Sequence, residues 1–384
     1  MTAISNYNRG TKYLLANNYA KALQFLKREE GDFKEKYLNI GNAYRGLGDL
    51  EKAAEYYIIA NREDIPLSSG VYSEFYPTAL NNLGMYYYAI GDDSTAITLY
   101  TKALELEPLY YEAIWNYGNA LLRSDINSAL GWKMYEYRFK RASGAVRIDT
   151  SLPRWDGLSS GDSICVLTEQ GLGDKIMFGR YLKLLKEKFA TVNVQCHPSL
   201  DCFYSDYNIV RSAEGDCSIP ICSLAGIFGL VSERYLEGKF TPHDFGSGKH
   251  IGVVWSGSTT HANNHNRSCP SHYFSNLSDL GTLHSLNPGS GNVRNVHALN
   301  SASWADTASF LLGLDLVVSV DTSIVHLAGS LGVPCLMLQP LKETDFRWGH
   351  GDKSVWYDSV KIIKNPNSWD AVFKEVRNEI AQGN

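Results

Sequence analysis

Apolar positions follow two different patterns along the chain. Over the first third, small and aromatic residues recur in a fixed series. Residues 79–108 carry it as Leu83, Gly84, Tyr87, Gly91, Ala96, Tyr100, Ala103 and Pro108. Residues 37–66 repeat it as Ile40, Gly41, Tyr44, Gly48, Ala53, Tyr57, Ala60 and Pro66. A degenerate earlier copy holds Gly10, Tyr13, Ala22 and Leu26, and a fourth starts at Tyr111–Gly118 and runs through Ala129. The spacing predicts paired helices. Small residues sit where two helices approach closely, aromatics fill the space between pairs, and proline closes the second helix. Gly48-Asp49 and Gly91-Asp92 read as the turns within each pair.

After Ser128 the pattern changes. Leu130–Arg141 still reads as helix, and Pro153-Arg154-Trp155-Asp156-Gly157 then breaks the periodicity. Ser163–Thr168 reads as a buried strand, Gly171–Asp174 as a turn, Lys175–Phe189 as a helix and Thr191–Cys196 as a second strand. Such a βαβ run implies a parallel sheet. The signal weakens over 201–248, where Gly246–Gly248 reads as a hinge between domains. It restarts with strands at His250–Ser256, Thr282–Leu286, Leu314–Val320 and Pro334–Leu338. Helices are expected at Tyr273–Leu280, Trp304–Leu312 and Ser368–Gln382. The expected organisation is a helical repeat array over 1–128, a Rossmann-like half over 129–245 and a second over 246–384, with a cleft between the halves.

Charge narrows the function classes. The 384-residue chain has a net charge of -5, and no basic stripe of the kind nucleic acid selects is visible. The N-terminus lacks a basic segment followed by an apolar one, and no apolar run approaches the roughly 18 residues of a membrane span. The 7 cysteines are sparse and form no CxxC pair, so free thiols in a reducing cytoplasm are expected.

Three segments carry candidate chemistry. In the first, the strand ending at Val320 runs into Asp321-Thr322-Ser323 and a helix begins. A helix N-terminus at the carboxyl end of a parallel strand is an anion site. Thr322 suits the N-cap, His326 falls on its helix face, and Gly329 permits close backbone approach. An ordinary capped helix with a satisfied histidine fits the same residues. A Ser/His/Asp triad is disfavoured because the segment has no GxSxG elbow.

The second segment, Glu169-Gln170-Gly171-Leu172-Gly173-Asp174, follows a strand. It resembles a dinucleotide loop, but Ile176 stands where the third glycine belongs and no acidic residue closes the next strand. What remains is Asp174 at a helix start, either a general base for an acceptor hydroxyl or a plain N-terminal helix acid. In the third segment, His261–Ser268, Arg267 is a natural diphosphate ligand. Arg347 and Trp348 add a second cation and an aromatic able to stack on a base or sugar. The histidines form no HxH pattern and there is no DxD pair, so no metal is expected.

The repeat series resembles the tetratricopeptide repeat, a helix–turn–helix of about 34 residues. Residues 130–384 resemble the glycosyltransferase domain related to the heptosyltransferases (glycosyltransferase family 9), through GWKMYEYRF, PRWDGL, EQGLGDKIMFGRY, HNRSCP, ADTASFLLGLDLVVSVDTSIVHLAGSLGVP, DFRWG and VWYDSVKII. The resemblance implies the GT-B fold and inverting, metal-independent transfer from a nucleotide sugar, with no further cofactor. It implies Asp174 as base. Thr322 and His326, with backbone amides near Ser323, would hold the donor phosphates, and Arg267 would neutralise them. Gln170, Gly171, Gly173, Lys175, Arg347 and Trp348 are further candidate contacts. The chain departs from the family at Asn264, where an acidic residue is usual, at Lys175, where threonine is usual, and in Asn287–Asn295, which lacks the acidic residue for the donor ribose. The acceptor is left open between protein, glycan, lipid-linked sugar and modified nucleobase, with the repeats as presenter of an acceptor or partner. The alternatives are a non-catalytic scaffold and a sugar-nucleotide epimerase.

Overall fold

A computed structural model describes residues 5–67, 75–142, 144, 146–261, 263–287, 293–299, 301–365 and 368–382. The first third folds as helix pairs: α1 (Asn6–Leu15) with α2 (Tyr19–Leu26), α3 (Lys34–Gly46) with α4 (Leu50–Ala60), and α5 (Phe75–Ala89) with α6 (Asp93–Leu106), followed by α7 (Tyr111–Ser124). The recurring glycines explain the pairing. A Cβ on Gly10 would come within 2.5 Å of Leu26, one on Gly41 within 2.5 Å of Tyr57, and one on Gly84 within 2.6 Å of Tyr100. Only glycine lets the second helix of each pair lie that close.

The turns follow the same logic. Gly48 and Gly91 take φ of +82° and +88°, which L side chains rarely adopt. The aspartate after each then caps the next helix, Asp49 accepting from the Lys52 N–H and Asp92 from the Thr95 N–H. The degenerate first copy makes the same turn with asparagines. Asn17 takes φ +56° and Asn18 caps α2.

Met1–Ser124 and Lys133–Ala145 form one compact unit, and Asp125–Trp132 and Val146–Asn384 a second. Trp132, on α8 (Ala129–Tyr135), belongs to the second, where its ring meets Phe178, Phe346 and Trp356 edge-on. Two parallel sheets build this unit. The first holds β1 (Gly161–Leu167), β2 (Phe189–Gln195), β3 (Asn208–Val210) and β4 (Cys217–Pro220) in the order β3-β2-β1-β4. Its helices are α9 (Leu172–Phe178), α10 (Leu182–Leu185), α11 (Asp201–Tyr204) and α12 (Leu224–Phe228).

The second sheet holds β5 (His250–Val254), β6 (Thr282–Ser285), β7 (Val296–Ala298), β8 (Leu316–Val320), β9 (Cys335–Leu338) and β10 (Val360–Ile363). Helices α13 (Asn264–Arg267), α14 (His272–Ser275), α15 (Trp304–Leu312), α16 (Ser323–Leu331) and α17 (Trp369–Ala381) accompany it. The order β10-β9-β8-β5-β6-β7 is that of a dinucleotide-binding sheet, reversing between β5 and β8. Val253, Val318, Val320, Leu338, Phe274 and Val376 fill the core beneath it, each stabilising by about 1.5–3 kcal/mol. Two Rossmann-like halves in one chain are the arrangement that the GT-B resemblance implies. Gly246 and Gly248, at the start of the second half, have φ of +87° and +111° with open space around them.

Several elements differ from the sequence expectation. The single helix expected over 175–189 is α9, a 3-10 turn at Gly179–Tyr181 and α10. Side chains take the carbonyls that would continue it: the Tyr235 hydroxyl donates to Ile176 O at 2.6 Å and Arg180 Nε to Met177 O at 2.8 Å. The helix expected at 273–280 is one turn, α14, continued by tight turns at Leu277 and Leu280. Strands β3, β4, β7 and β10, three or four residues each, were not among the expected elements, since runs this short carry little pattern to read.

Candidate active site

The order of the second sheet predicts where a ligand binds. In open parallel sheets the crevice lies beyond the carboxyl ends of the strands that flank the order reversal. Here those strands are β5 and β8, which pair from Ile251↔Leu316 to Val254↔Ser319. The loop after β5 carries Arg267, and β8 runs into Asp321, Thr322 and α16. Sheet order thus brings together two segments that the sequence offers separately.

Gly257 shapes the first of these. A Cβ there would lie 2.5 Å from Arg267 Nη2, so its absence lets the guanidinium pack against backbone. Asn264, where the family has an acidic residue, accepts from the Gly257 N–H at 3.1 Å. Arg267 Nε is buried without a partner among the described residues. Asn287 ties the ends of β5 and β6 together, accepting from the Trp255 N–H at 2.8 Å and donating to Ser256 O at 2.7 Å. Most of the remaining stretch toward Asn295 lies outside the described residues.

Thr322 is the N-cap residue of α16, buried and extended, but its side chain caps nothing. The hydroxyl lies 3.2 Å from that of Ser319. Val325 N–H makes the first bond of the helix, to Thr322 O at 3.1 Å, and the N–H groups of Ser323 and Ile324 before it lie at the crevice end of the sheet. Asp321 is pushed up to about 6 by burial and by Asp345 nearby, against the pull of Arg267. Gly329 lies further along α16, where a Cβ would come 2.3 Å from the Tyr357 ring. Its role here is helix packing, away from the crevice end.

His326 is the centre of the arrangement. Its ring stacks on Trp348 at 5.1 Å and 21°, so one face of each ring is already covered. Nδ1 lies 3.0 Å from the Tyr357 hydroxyl. The opposite edge faces the first half: a Cβ on Gly173 would lie 2.7 Å from His326 Cδ2. Burial, together with the Arg347 charge, pushes His326 down to about 3, so the ring is neutral.

The loop after β1 supplies the other side. Gln170 has φ +68°, an uncommon conformation for a residue with a side chain, and Gly171 follows it. Asp174, in the first turn of α9, accepts from the Gly171 N–H at 3.0 Å. Its other oxygen is ion-paired with Arg347. Burial raises the Asp174 carboxyl above its ordinary range although Arg347 opposes the shift. Arg347 also holds Asp345 through two contacts, at 2.7 and 2.8 Å. Burial alone would raise Asp345, and Arg347 brings it below the usual range. Lys175 lies on the same turn, its carbonyl accepting from Tyr204 Oη at 2.6 Å.

The structure therefore gathers Asp174, Gly173, His326, Arg347, Trp348 and Asp321 in one place. Asp345, Tyr357 and Arg180 join them without having been singled out from sequence. DFRWG, VWYDSVKII and EQGLGDKIMFGRY contain them, so the signal was present without a role attached. Glu343, outside these segments, was not singled out either. At φ +57°, it accepts from Asn266 Nδ2 at 2.7 Å and ties the loop after β9 to that after β5.

Comparison with known proteins adds the following. Family models for the tetratricopeptide repeat match residues 37–58 and 77–110. The N-terminal helix pairs are tetratricopeptide repeats. Protein FlbA of Caulobacter vibrioides is 22% identical over 380 aligned positions, covering 74% of this chain, which spans 63% of that protein. Among solved structures, the O-GlcNAc transferase of Thermobaculum terrenum is 12% identical, covering 98% of this chain and 90% of that one, with a TM-score of 0.37. Escherichia coli heptosyltransferase WaaC with ADP-2-deoxy-2-fluoro heptose is 11% identical, covering 58% of this chain and 100% of that one, with a TM-score of 0.42. Neither likeness assigns a role to a residue of this chain. No helix among the described residues, in the repeats or beyond them, is long and apolar enough to cross a membrane.

Proposed function

We propose that this chain is an inverting, metal-independent glycosyltransferase. It moves a sugar from a nucleotide-diphosphate donor to an acceptor hydroxyl, with the tetratricopeptide repeats presenting the acceptor or a protein partner. One observation carries the reading: the N-terminus of α16, with its buried neutral His326, lies against the loop that ends in Asp174. One side suits a leaving diphosphate, the other a base.

In the proposed step an acceptor oxygen attacks the anomeric carbon while the bond from that carbon to the diphosphate oxygen breaks. The acceptor proton passes to Asp174, and the departing charge meets the α16 N–H groups and Arg267. Both Asp174 oxygens are engaged in this structure, one by Gly171 N–H and one by Arg347. The chemistry therefore requires Arg347 to leave Asp174, and an arriving diphosphate is the natural competitor for its guanidinium.

The same two contacts favour a second reading, in which Asp174 only caps α9 and the domain is a non-catalytic scaffold. Thermal shifts against UDP, GDP, ADP, CMP and dTDP sugars, followed by mass spectrometry of transfer or hydrolysis in excess EDTA, separate the two. Turnover that survives chelation and disappears in Asp174→Asn, with donor affinity kept, supports transfer. No shift with any donor sinks it.

A further inference from the structure

Arg267 stands on α13, a single helical turn too short to hold its own shape. Two outside contacts fix it. The guanidinium packs over Gly257, where a Cβ would meet Nη2, Cζ and Nε at 2.5, 2.9 and 3.1 Å. Its charge is felt at Asp321, where it opposes the upward push of burial. The packing on Gly257 limits where the side chain lies. The second contact holds the turn itself.

That contact comes from Glu343, in the loop after β9. Its carbonyl accepts from Asn263 Nδ2 at 3.1 Å, and its Oε2 accepts from Asn266 Nδ2 at 2.7 Å. Asn266 Nδ2 also donates to Asn263 Oδ1 at 2.7 Å, which closes a ring of three residues. A main-chain carbonyl and an ionised carboxylate only accept, so both amide nitrogens must face Glu343. Asn263 Oδ1 is then left to receive the other Asn266 proton. Asn263 is the N-cap of α13, its carbonyl accepts from the Arg267 N–H at 3.3 Å, and Asn266 directly precedes Arg267. The clasp therefore grips the turn at both ends.

Glu343 does this from a backbone at φ +57°, which glycine adopts freely and other residues rarely. Glycine would be easier on the chain there, but it would leave the Asn266 amide without its carboxylate acceptor. Strain kept at such a position points to a use for the side chain. The same loop continues through Asp345 to Arg347, so the clasp joins the segments that carry both candidate cations.

We infer that Glu343 is a positioning residue: by accepting from Asn263 and Asn266 it holds α13 so that the Arg267 guanidinium stays over Gly257 at the crevice. The clasp stands on these contacts alone, and what Arg267 meets there, the diphosphate of a nucleotide donor, rests on the function proposed above. A carboxylate close to an anion site opposes binding by its charge. Its service here is as a hydrogen-bond acceptor, which a glutamine amide oxygen also provides.

The ligand-free test is the Arg267 Nε–H signal in the full chain labelled with 15N-arginine, assigned by its loss in Arg267→Lys. In the wild type this buried group is expected to give one sharp, slowly exchanging signal. In Glu343→Gly, which relaxes the backbone and removes the acceptor, it broadens and exchanges with solvent roughly tenfold faster. The variant still melts within a few degrees of the wild type. Asn266→Ala breaks the same bond from the other side and has the same effect, while Glu343→Gln keeps the wild-type signal. An unchanged Arg267 signal in folded Glu343→Gly or Asn266→Ala overturns the inference. So does a Glu343→Gln protein that behaves like Glu343→Gly.

Binding of UDP, GDP, ADP and dTDP, each measured by calorimetry, gives the second readout. Glu343→Gly is expected to weaken the diphosphate that binds by roughly threefold to tenfold. Glu343→Gln leaves it as tight or tighter. Because the effect runs through Arg267, Glu343→Gly costs nothing further in an Arg267→Gln background. Losses that simply add in the double variant overturn the positioning role. If the Arg267 signal responds as expected but the wild type binds none of the four, the clasp stands and the donor-site reading falls.

Discussion

Asp174 of the first half is ion-paired with Arg347 of the second, and the same guanidinium holds Asp345. One cation thus compensates two carboxylates, and its own side chain is only 9% exposed. Truncating one partner of a buried pair leaves the other charge without compensation, which costs far more than the pair contributes. Arg347→Ala is therefore expected to lower unfolding stability at pH 8 by about 3–5 kcal/mol. Much of the loss returns at pH 5, where the stranded carboxylates take up protons. Urea unfolding at the two pH values checks this, and a deficit that does not shrink on acidification would place the damage elsewhere.

Asp321 gives a pH dependence of definite sign. Its carboxyl is pushed from the ordinary 3.8 up to about 6 by burial and by Asp345. The folded chain therefore binds a proton that the unfolded chain has released between these values. The contribution to stability is complete below about pH 4 and lost as pH rises through about 6. Asp321→Asn, which cannot ionise, is expected to stabilise the protein at pH 7 by about 1–3 kcal/mol. It also removes that falling slope. Melting temperatures of the two proteins from pH 4 to 8 should converge at the acid end, and parallel curves would refute the assignment.

Buried histidines act in the opposite direction. His250 Nδ1 lies 3.0 Å from His284 Nε2, and the outer nitrogen of each ring is buried without a partner among the described residues. Phe245 packs on both rings, while His243 and His297 stand nearby. Burial, then His250, pushes His284 down to about 4. Stability is present above about pH 6.5 and lost as pH falls toward 4. His284→Gln, neutral at every pH, should flatten this acid limb by about 1–3 kcal/mol. Unfolding midpoints at pH 7 and 4.5 measure it, and an acid limb as steep as in the wild type would assign it to other groups.

The legible part of this protein was whatever repeats or alternates. Gly41, Gly84, Tyr57 and Tyr100 announced the helix pairs because packing at fixed spacing leaves a periodic trace. Strand β8 and the start of α16 were readable because a continuous apolar run ended at a capping residue. Asp174, His326 and Arg347 could be singled out by type and context, but not their pairing. Contact between the halves depends on the sheet order and on how the cleft closes, and neither leaves a periodic trace. Glu343 and Tyr357 were hidden for a related reason. Their roles depend on side chains supplied by other segments, so nothing in their immediate sequence marks them.

Gly173 separates activity from stability most cleanly. It lies in the first turn of α9, where alanine is favoured over glycine by roughly 1 kcal/mol. Yet an added Cβ would lie 2.7 Å from His326 Cδ2 and 3.3 Å from Nε2, with Ser323 Cα at 3.6 Å. The ring is held from behind by Tyr357 and covered by Trp348, so the clash is relieved by displacing the loop that carries Asp174. Gly173→Ala is expected to melt within a few degrees of the wild type. Displacements of about 1 Å in a reacting constellation cost on the order of 100-fold, and a loss of 10- to 100-fold in turnover is the expected result. Steady-state kinetics beside a thermal melt provide the measurement. Full turnover in a folded Gly173→Ala protein would show that the contact between His326 and the Asp174 loop has no part in catalysis.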